Sequence, residues 1–340
     1  MSDDKPFYEP SEQEDNNSVE KSKPCFELYI KASTIDGEAK GSCPICHQWF
    51  MIAYLLAERK DASFRVYTVQ ASMPPKSFTE KTRSKIFPVV IGLSGQDTNS
   101  MDISELVCDS YDEVEKFFES INRTCPKLKR QHRDNLLALK VFEDLYKDFK
   151  LFLQSKDTEG RKLTNVLRNL NGFLEENDTT FLHSNELSYA DCSLLPKLQH
   201  IRIAGQAYKG YKIAPEFQNI WRYLKVAYQQ NAFSATMPSD QDIVQHYETL
   251  VGTPKGRGRP TLEKRSYTME VDESLLGNVS NEQEVVNDQV NGDDGATANG
   301  DGDVVRQSQE LEQGQFDNVP DEDDSQTYEN VQQDNGDSAE

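Results

Sequence analysis

The sequence predicts an α/β domain followed by an all-α domain, with disordered acidic segments at both ends. Three observations predict this. Between Phe26 and Cys108, short runs of strand character enclose one helical run. From Gln131 to Glu248 strand signals give way to apolar residues recurring at three and four positions. The charge, finally, is distributed very unevenly along the chain.

The 340 residues carry a formal net charge of −21. Residues 266–340 hold 21 acidic side chains and one base, Arg306, whereas residues 23–250 balance at 29 acids and 29 bases. Residues 251–265 contain five bases and Glu263, and residues 1–22 contain seven acids against two lysines. A uniformly acidic globule is thereby excluded. The organisation predicted is an acidic disordered head (1–22), an α/β domain (23–122), a polar linker (123–130), a helical domain (131–250), a basic linker (251–265) and an acidic disordered tail (266–340). The tail is rich in Asp, Gln, Asn and Gly and cannot bury enough apolar surface to offset chain entropy. Solvation, or docking of an unidentified protein partner, is the use expected of it.

In the α/β domain, Phe26 to Ile30 and Phe64 to Val69 alternate as strands. Between them Ile45, Trp49, Ile52 and Leu56 share one helical face, with Pro44 in the first turn and Glu58-Arg59-Lys60-Asp61 at the end. Pro88 to Ile91 reads as a third strand, Ser104 to Cys108 as a fourth, and Tyr111 to Ile121 as an amphipathic helix. A βαβ unit followed by ββα is the thioredoxin-like order. Beyond it, Leu136-Leu137, Val141, Leu145, Phe149 and Phe152-Leu153 repeat at helical spacing, as do segments 161–176, 189–204, 216–230 and 240–250. Ser188 and Asp191 form a capping box in its acidic form.

The strongest chemical signal is Cys43-Pro44-Ile45-Cys46. With Pro44 at the first helical position Cys43 is the N-cap, so its sulfur faces unpaired amides and the positive end of the helix dipole, and both favour thiolate. Cys46, about one turn on, is placed to resolve a mixed disulfide. A zinc site needs two further ligands at suitable spacing, which the neighbouring sequence does not offer, so no metal is expected. Phe87-Pro88 is the expected cis-proline strand start, whose backbone pairs with an extended peptide such as glutathione. Asp109-Ser110 opens the next helix, where amides and a hydroxyl bind a carboxylate, here the γ-glutamyl carboxylate of glutathione; taken alone the pair is also a routine helix cap. Cys25, Cys108 and Cys192 read as buried small hydrophobes, and Cys125 as a connector thiol open to solvent.

Several long motifs resemble the chloride intracellular channel family, relatives of omega-class glutathione transferases, and are most similar to its invertebrate members. They are Ile30-Lys31-Ala32-Ser33-Thr34-Ile35-Asp36-Gly37, Gly41-Ser42-Cys43-Pro44-Ile45-Cys46, Glu186-Leu187-Ser188-Tyr189-Ala190-Asp191-Cys192, Leu195-Pro196-Lys197-Leu198-Gln199-His200-Ile201-Arg202 and Pro238-Ser239-Asp240-Gln241-Asp242-Ile243. The resemblance runs from about Phe26 to Tyr247. It implies a glutathione-transferase-like fold and a glutaredoxin-like thiol at Cys43 that uses glutathione as cosubstrate or ligand. It also implies a soluble form that associates with membrane lipids and is proposed to conduct chloride under redox control, as a homo-oligomer in the membrane. A cytoplasmic and membrane-associated location follows from it. The polar first 22 residues lack the apolar stretch of a secretory signal, so secretion is not expected. The alternative activity is glutathione-dependent thiol–disulfide exchange, with Cys43 as nucleophile.

Hydropathy argues against a simple spanning helix. In the family the proposed span runs here from Cys43 to about Val69, yet its uncharged part, Cys43 to Ala57, is 15 residues long against the roughly 20 a helix needs. Arg59, Lys60 and Asp61 together cost about 8 to 10 kcal/mol at mid-membrane, while the apolar residues return about 2 to 4. Packing between the two domains is the more favourable home for this face. Arg257-Gly258-Arg259-Pro260 resembles a minor-groove hook, but a single copy reads as a solvated spacer; nucleic acid is not an expected partner, and anionic lipid headgroups fit the stretch as well.

Overall fold

The computed structural model describes residues 22–254 and 265–276. Strand β1 (Cys25–Lys31) leads through a loop into helix α1 (Pro44–Glu58), which returns to strand β2 (Ser63–Val69). A short helix α2 (Lys76–Thr79) precedes β3 (Val89–Ser94) and β4 (Val107–Cys108), and α3 (Tyr111–Ile121) closes the unit. The sheet order is β2-β1-β3-β4, with β1 parallel to β2 and antiparallel to β3, and β3 antiparallel to β4. The expected mixed thioredoxin-like arrangement is present.

The fourth strand is shorter than the sequence suggests. Ser104 and Glu105 belong to a turn: the Asp102 carboxylate accepts from the Ser104 amide at 2.9 Å, and Glu105 takes a left-handed φ of 61°. An L-residue in that region ends an extended run, so pairing begins only at Val107.

A 3-10 turn at Pro126–Leu128 connects to the helical domain. Its helices are α4 (Arg133–Val141), α5 (Leu145–Gln154), α6 (Arg161–Glu176), α7 (Tyr189–Lys209), α8 (Gln218–Tyr228), α9 (Asn231–Ser234), α10 (Asp240–His246) and α11 (Glu248–Val251). Leu136 and Leu137, expected on the inner face of α4, are 43% and 53% exposed, because the helix turns Asn135 and Ala138 inward instead. The Asn135 amide donates to the carbonyls of Lys127 and Lys129 at 2.8 Å each, and its oxygen faces His183 and the Ala190 amide. This fully buried amide ties the connector to the start of α7, since buried polar atoms need such partners.

Helix α7 starts as predicted. The Ser188 hydroxyl accepts from the Asp191 amide, and the Asp191 carboxylate accepts from the Ser188 amide at 2.8 Å. The same carboxylate also accepts from the Leu182 amide at 3.0 Å and the Tyr223 hydroxyl at 2.9 Å, so one buried acid joins three segments.

Helix α1 is buried on almost every side, including Trp49, Phe50, Met51, Ile52, Leu55 and Leu56. Trp49 stacks on Phe118 of α3 at 4.9 Å and meets Tyr189 of α7 edge-on, while His47 stacks on Phe233 of α9 at 5.4 Å. Burying those six large side chains is worth on the order of 10 kcal/mol. The helix is thus enclosed between the sheet and the helical domain, as its composition predicts. Among the described residues no helix is long and apolar enough to cross a membrane.

One boundary is corrected. Residues 266–276, expected at the head of a disordered tail, lie on the helical domain: Ser266 accepts from the Asp240 amide at 2.9 Å, Glu273 pairs with Lys225 at 2.7 Å, and Leu276 is buried. Residues 1–21 of the acidic head, the tail beyond residue 276 and linker residues 255–264 with their minor-groove-hook resemblance fall outside the described residues.

Candidate functional site

The loop between β1 and α1 is built to present Cys43. Gly37 supplies a left-handed φ of 73°, the Asp36 carboxylate accepts from the amides of Glu38 and Ala39 at 2.9 and 3.0 Å, and the Ser33 amide donates back to the Ala39 carbonyl at 2.7 Å. A Cβ at Gly41 would lie 2.5 Å from the Ala32 carbonyl oxygen, so only glycine lets the chain turn there into the helix. Three contacts then tie this loop to the helical domain. Ser33 donates to the Asp242 carboxylate, Lys40 donates to the Ala235 carbonyl at 2.6 Å, and Arg265 pairs with Asp36.

Cys43 is the N-cap of α1, with Pro44 directly after it and an extended φ, ψ of −66°, 118°. Its side chain makes no hydrogen bond to the first-turn amides, which differs from the sequence expectation. The Cys43 and Cys46 thiols are hydrogen-bonded to one another. Cys43 is 6% exposed and Cys46 1%. Burial pushes the Cys46 thiol well above its ordinary value, and the bond to Cys43 and the charge on Cys43 push it further. Cys46 is therefore the thiol that holds on to its proton. No disulfide joins the two in this structure.

Phe87-Pro88 is a cis peptide, as expected, at the entry to β3. Phe87 is buried and stacks on Phe78 at 5.5 Å. Asp109 and Ser110 open α3, but their donors are in use. The Glu113 carboxylate accepts from the Asp109 amide at 3.2 Å, the Ser110 amide at 3.2 Å and the Ser110 hydroxyl at 2.9 Å. Those bonds, Ser110's hydroxyl first, hold the Glu113 carboxyl below its ordinary value. The spacing Ser110-x-x-Glu113 is a capping box legible in the sequence. The Asp109 carboxylate in turn accepts from Thr82 at 2.7 Å.

Two buried histidines, His47 and His200, flank the thiol loop; from sequence His47 reads only as a lone candidate metal ligand. Burial, followed by Lys40, pushes His47 down to about 3. His200 of α7 is held well below its ordinary value by burial first, and its Nδ1 lies 2.8 Å from the Tyr247 hydroxyl. The other cysteines lie on β1, β4, the connector and α7. Burial pushes Cys108 up to about 12 and Cys192 well above its ordinary value. Cys125 is buried rather than open, because the Asn122 side chain pairs with both its amide and its carbonyl at 3.0 and 2.7 Å. Among the described residues no group of three or more His, Cys, Asp or Glu is disposed to hold a metal.

A thioredoxin-like domain that presents an N-capping cysteine to an all-helical domain is the glutathione-transferase-like fold. Residues 24–111 match the family model described as the CLIC-like N-terminal domain. The chain is 35% identical to "Chloride intracellular channel Clic" of Drosophila melanogaster over 257 residues, 75% of this chain and 93% of that protein. It is 28% identical to "Chloride intracellular channel exc-4" of Caenorhabditis elegans over 284 residues, 78% and 93% of the two chains. The crystal structure of the CLIC homologue EXC-4 from that organism superposes with a TM-score of 0.62, covering 75% of this chain and 96% of that one. Dehydroascorbate reductase of Chlamydomonas reinhardtii shares the fold at a TM-score of 0.52 and 17% identity, over 66% of this chain and 98% of that one. The chain belongs to the chloride intracellular channel family.

Proposed function

We propose that this chain mediates chloride transport at membranes, starting from the folded form described above, with the Cys43–Cys46 pair as its redox control. The observation that carries the reading is the place of the pair: the two hydrogen-bonded thiols sit at the start of α1, the apolar helix enclosed between the domains. The names of the two curated relatives support the chloride assignment. Oxidation of the two thiols to a disulfide passes two electrons and two protons to an oxidising disulfide, which leaves as two thiols. That bond alters the first turn of α1 and with it the domain contact. Membrane lipids and a homo-oligomer belong to the same proposal, because α1 alone is too short and too closely followed by charge to span. The test is chloride efflux from loaded vesicles, with reduced protein, oxidised protein and Cys43→Ser. Protein-dependent efflux that changes with redox state and loses that change in the variant supports the proposal; no protein-dependent efflux in any condition rejects it.

A second reading is favoured by the chemistry of the pair. With Cys46 kept protonated, Cys43 is the nucleophile of a thiol–disulfide oxidoreductase, which attacks a substrate disulfide and expels one thiolate. Cys46, or glutathione held at Phe87, Pro88, Asp109 and Ser110, then resolves the mixed disulfide. Binding glutathione's carboxylate at Ser110 requires the Glu113 carboxylate to move aside. Disulfide reduction coupled to glutathione and glutathione reductase tests this reading; a rate no higher than that of Cys43→Ser removes it.

A further inference from the structure

We infer that Arg265, the last residue of the basic linker, is a latch that holds the Cys43 loop against the helical domain and so limits access to the Cys43 thiol. One guanidinium nitrogen meets the Asp36 carboxylate in the β1–α1 loop, and the other meets the Asp242 carboxylate in α10. Asp242 is almost completely buried and also accepts from Ser33, in the same loop as Asp36. Asp36, Arg265, Asp242 and Ser33 therefore close a ring across the domain boundary, and both of its members from the first domain lie on the ten-residue stretch that delivers Cys43.

The latch is fixed at its far end. Behind Arg265 the chain runs over α7, α8 and α10. The Thr268 amide and hydroxyl donate to the Asp240 carboxylate at 3.0 and 2.8 Å, Gln199 donates to the Thr268 carbonyl at 3.0 Å, and Arg202 donates to the Glu270 carbonyl. Met269, Val271 and Leu275 pack against the core, and Leu276 is buried in it. An extended segment bonded at this density stays in place, so Arg265 is presented from a fixed support and not from a free end. A planar guanidinium with two forks suits two carboxylates at once, a role that lysine's point charge does not fill. Asp242 is an acid withdrawn from water, and the cation is the only full positive charge shown pairing with it among the described residues, so losing Arg265 leaves that carboxylate with hydroxyl donors alone.

The consequence for the thiol follows from burial. Cys43 is 6% exposed, so most of its surface is covered and a reagent reaches it more readily when the loop opens. Lys40 provides a second tether, to the Ala235 carbonyl, which remains when Arg265 is removed. The inference holds whichever reaction Cys43 performs, because it concerns access to the sulfur.

The test is the rate of iodoacetamide alkylation of native full-length protein, read cysteine by cysteine by mass spectrometry. The chains compared are the wild type, Arg265→Ala and Asp36→Asn. The asparagine keeps the side-chain oxygen that receives the loop amides and removes only the charge, so it reads the first-domain arm without threatening the fold. Cys192, fully buried in α7, reports global opening. Both variants are expected to alkylate Cys43 about tenfold faster than wild type, the order of change for one lost charge-assisted pair, with Cys192 unchanged. An unchanged Cys43 rate in either variant overturns the inference. So does a parallel rise at Cys192, which would make the segment a support of the whole fold and not of the thiol loop.

Discussion

The Glu113 carboxylate accepts from both the amide and the hydroxyl of Ser110, so an internal carboxylate occupies the donors expected to hold glutathione's own. Removing it opens them. Glu113→Ala is expected to bind glutathione several-fold more tightly than wild type by calorimetry, while losing about 1 kcal/mol of stability with the helix cap. Equal or weaker binding in the variant would place glutathione away from Ser110.

The Asp191 carboxylate gathers four donors, from Ser188, Leu182 and Tyr223, at a site without solvent. Asp191→Ala leaves buried donors without acceptors at about 1 to 3 kcal/mol each, so a loss of at least about 3 kcal/mol is expected in urea unfolding. A loss below about 1 kcal/mol would mean that water replaces the carboxylate.

His47 makes the folded protein sensitive to acid. Its folded value, about 3, lies below the ordinary 6.5, so between these values the unfolded chain binds the proton that the folded chain refuses. Stability is unaffected above pH 6.5 and falls as the pH drops through it, by about 2 kcal/mol at pH 5 from this residue. His200 is shifted in the same direction and adds to the slope. Urea unfolding at pH 7.5 and pH 5 should show the drop, and His47→Phe, which keeps a ring against Phe233, should reduce it. An undiminished slope in the variant would assign the acid sensitivity elsewhere.

How much of this was legible in the sequence depended on the range of the interaction. The strands around α1, the α7 capping box and the cysteine at the helix start are local patterns, and each is present where the residues indicate. The late start of β4 is not readable from the sequence because a left-handed Glu105 is invisible to alternation. Exposed Leu136 and Leu137 show that helical spacing alone does not choose which face turns inward; Asn135 chose it through partners in two other segments. Arg265 was counted only as charge in a basic linker, because its two carboxylates lie 229 and 23 residues away in sequence. Glu113, three residues after Ser110, carries the same capping-box signal as Asp191 after Ser188.

Both readings of function rest on one claim, that Cys43 and Cys46 form the redox centre of the molecule. The direct measurement is equilibration of native protein in buffers of graded oxidised and reduced glutathione, followed by trapping of free thiols and peptide mapping. The account predicts a Cys43–Cys46 disulfide as the first oxidised species, with Cys108, Cys125 and Cys192 still free thiols. Oxidation that starts at any of those three, or a Cys43–Cys46 pair that stays reduced while they react, would contradict it.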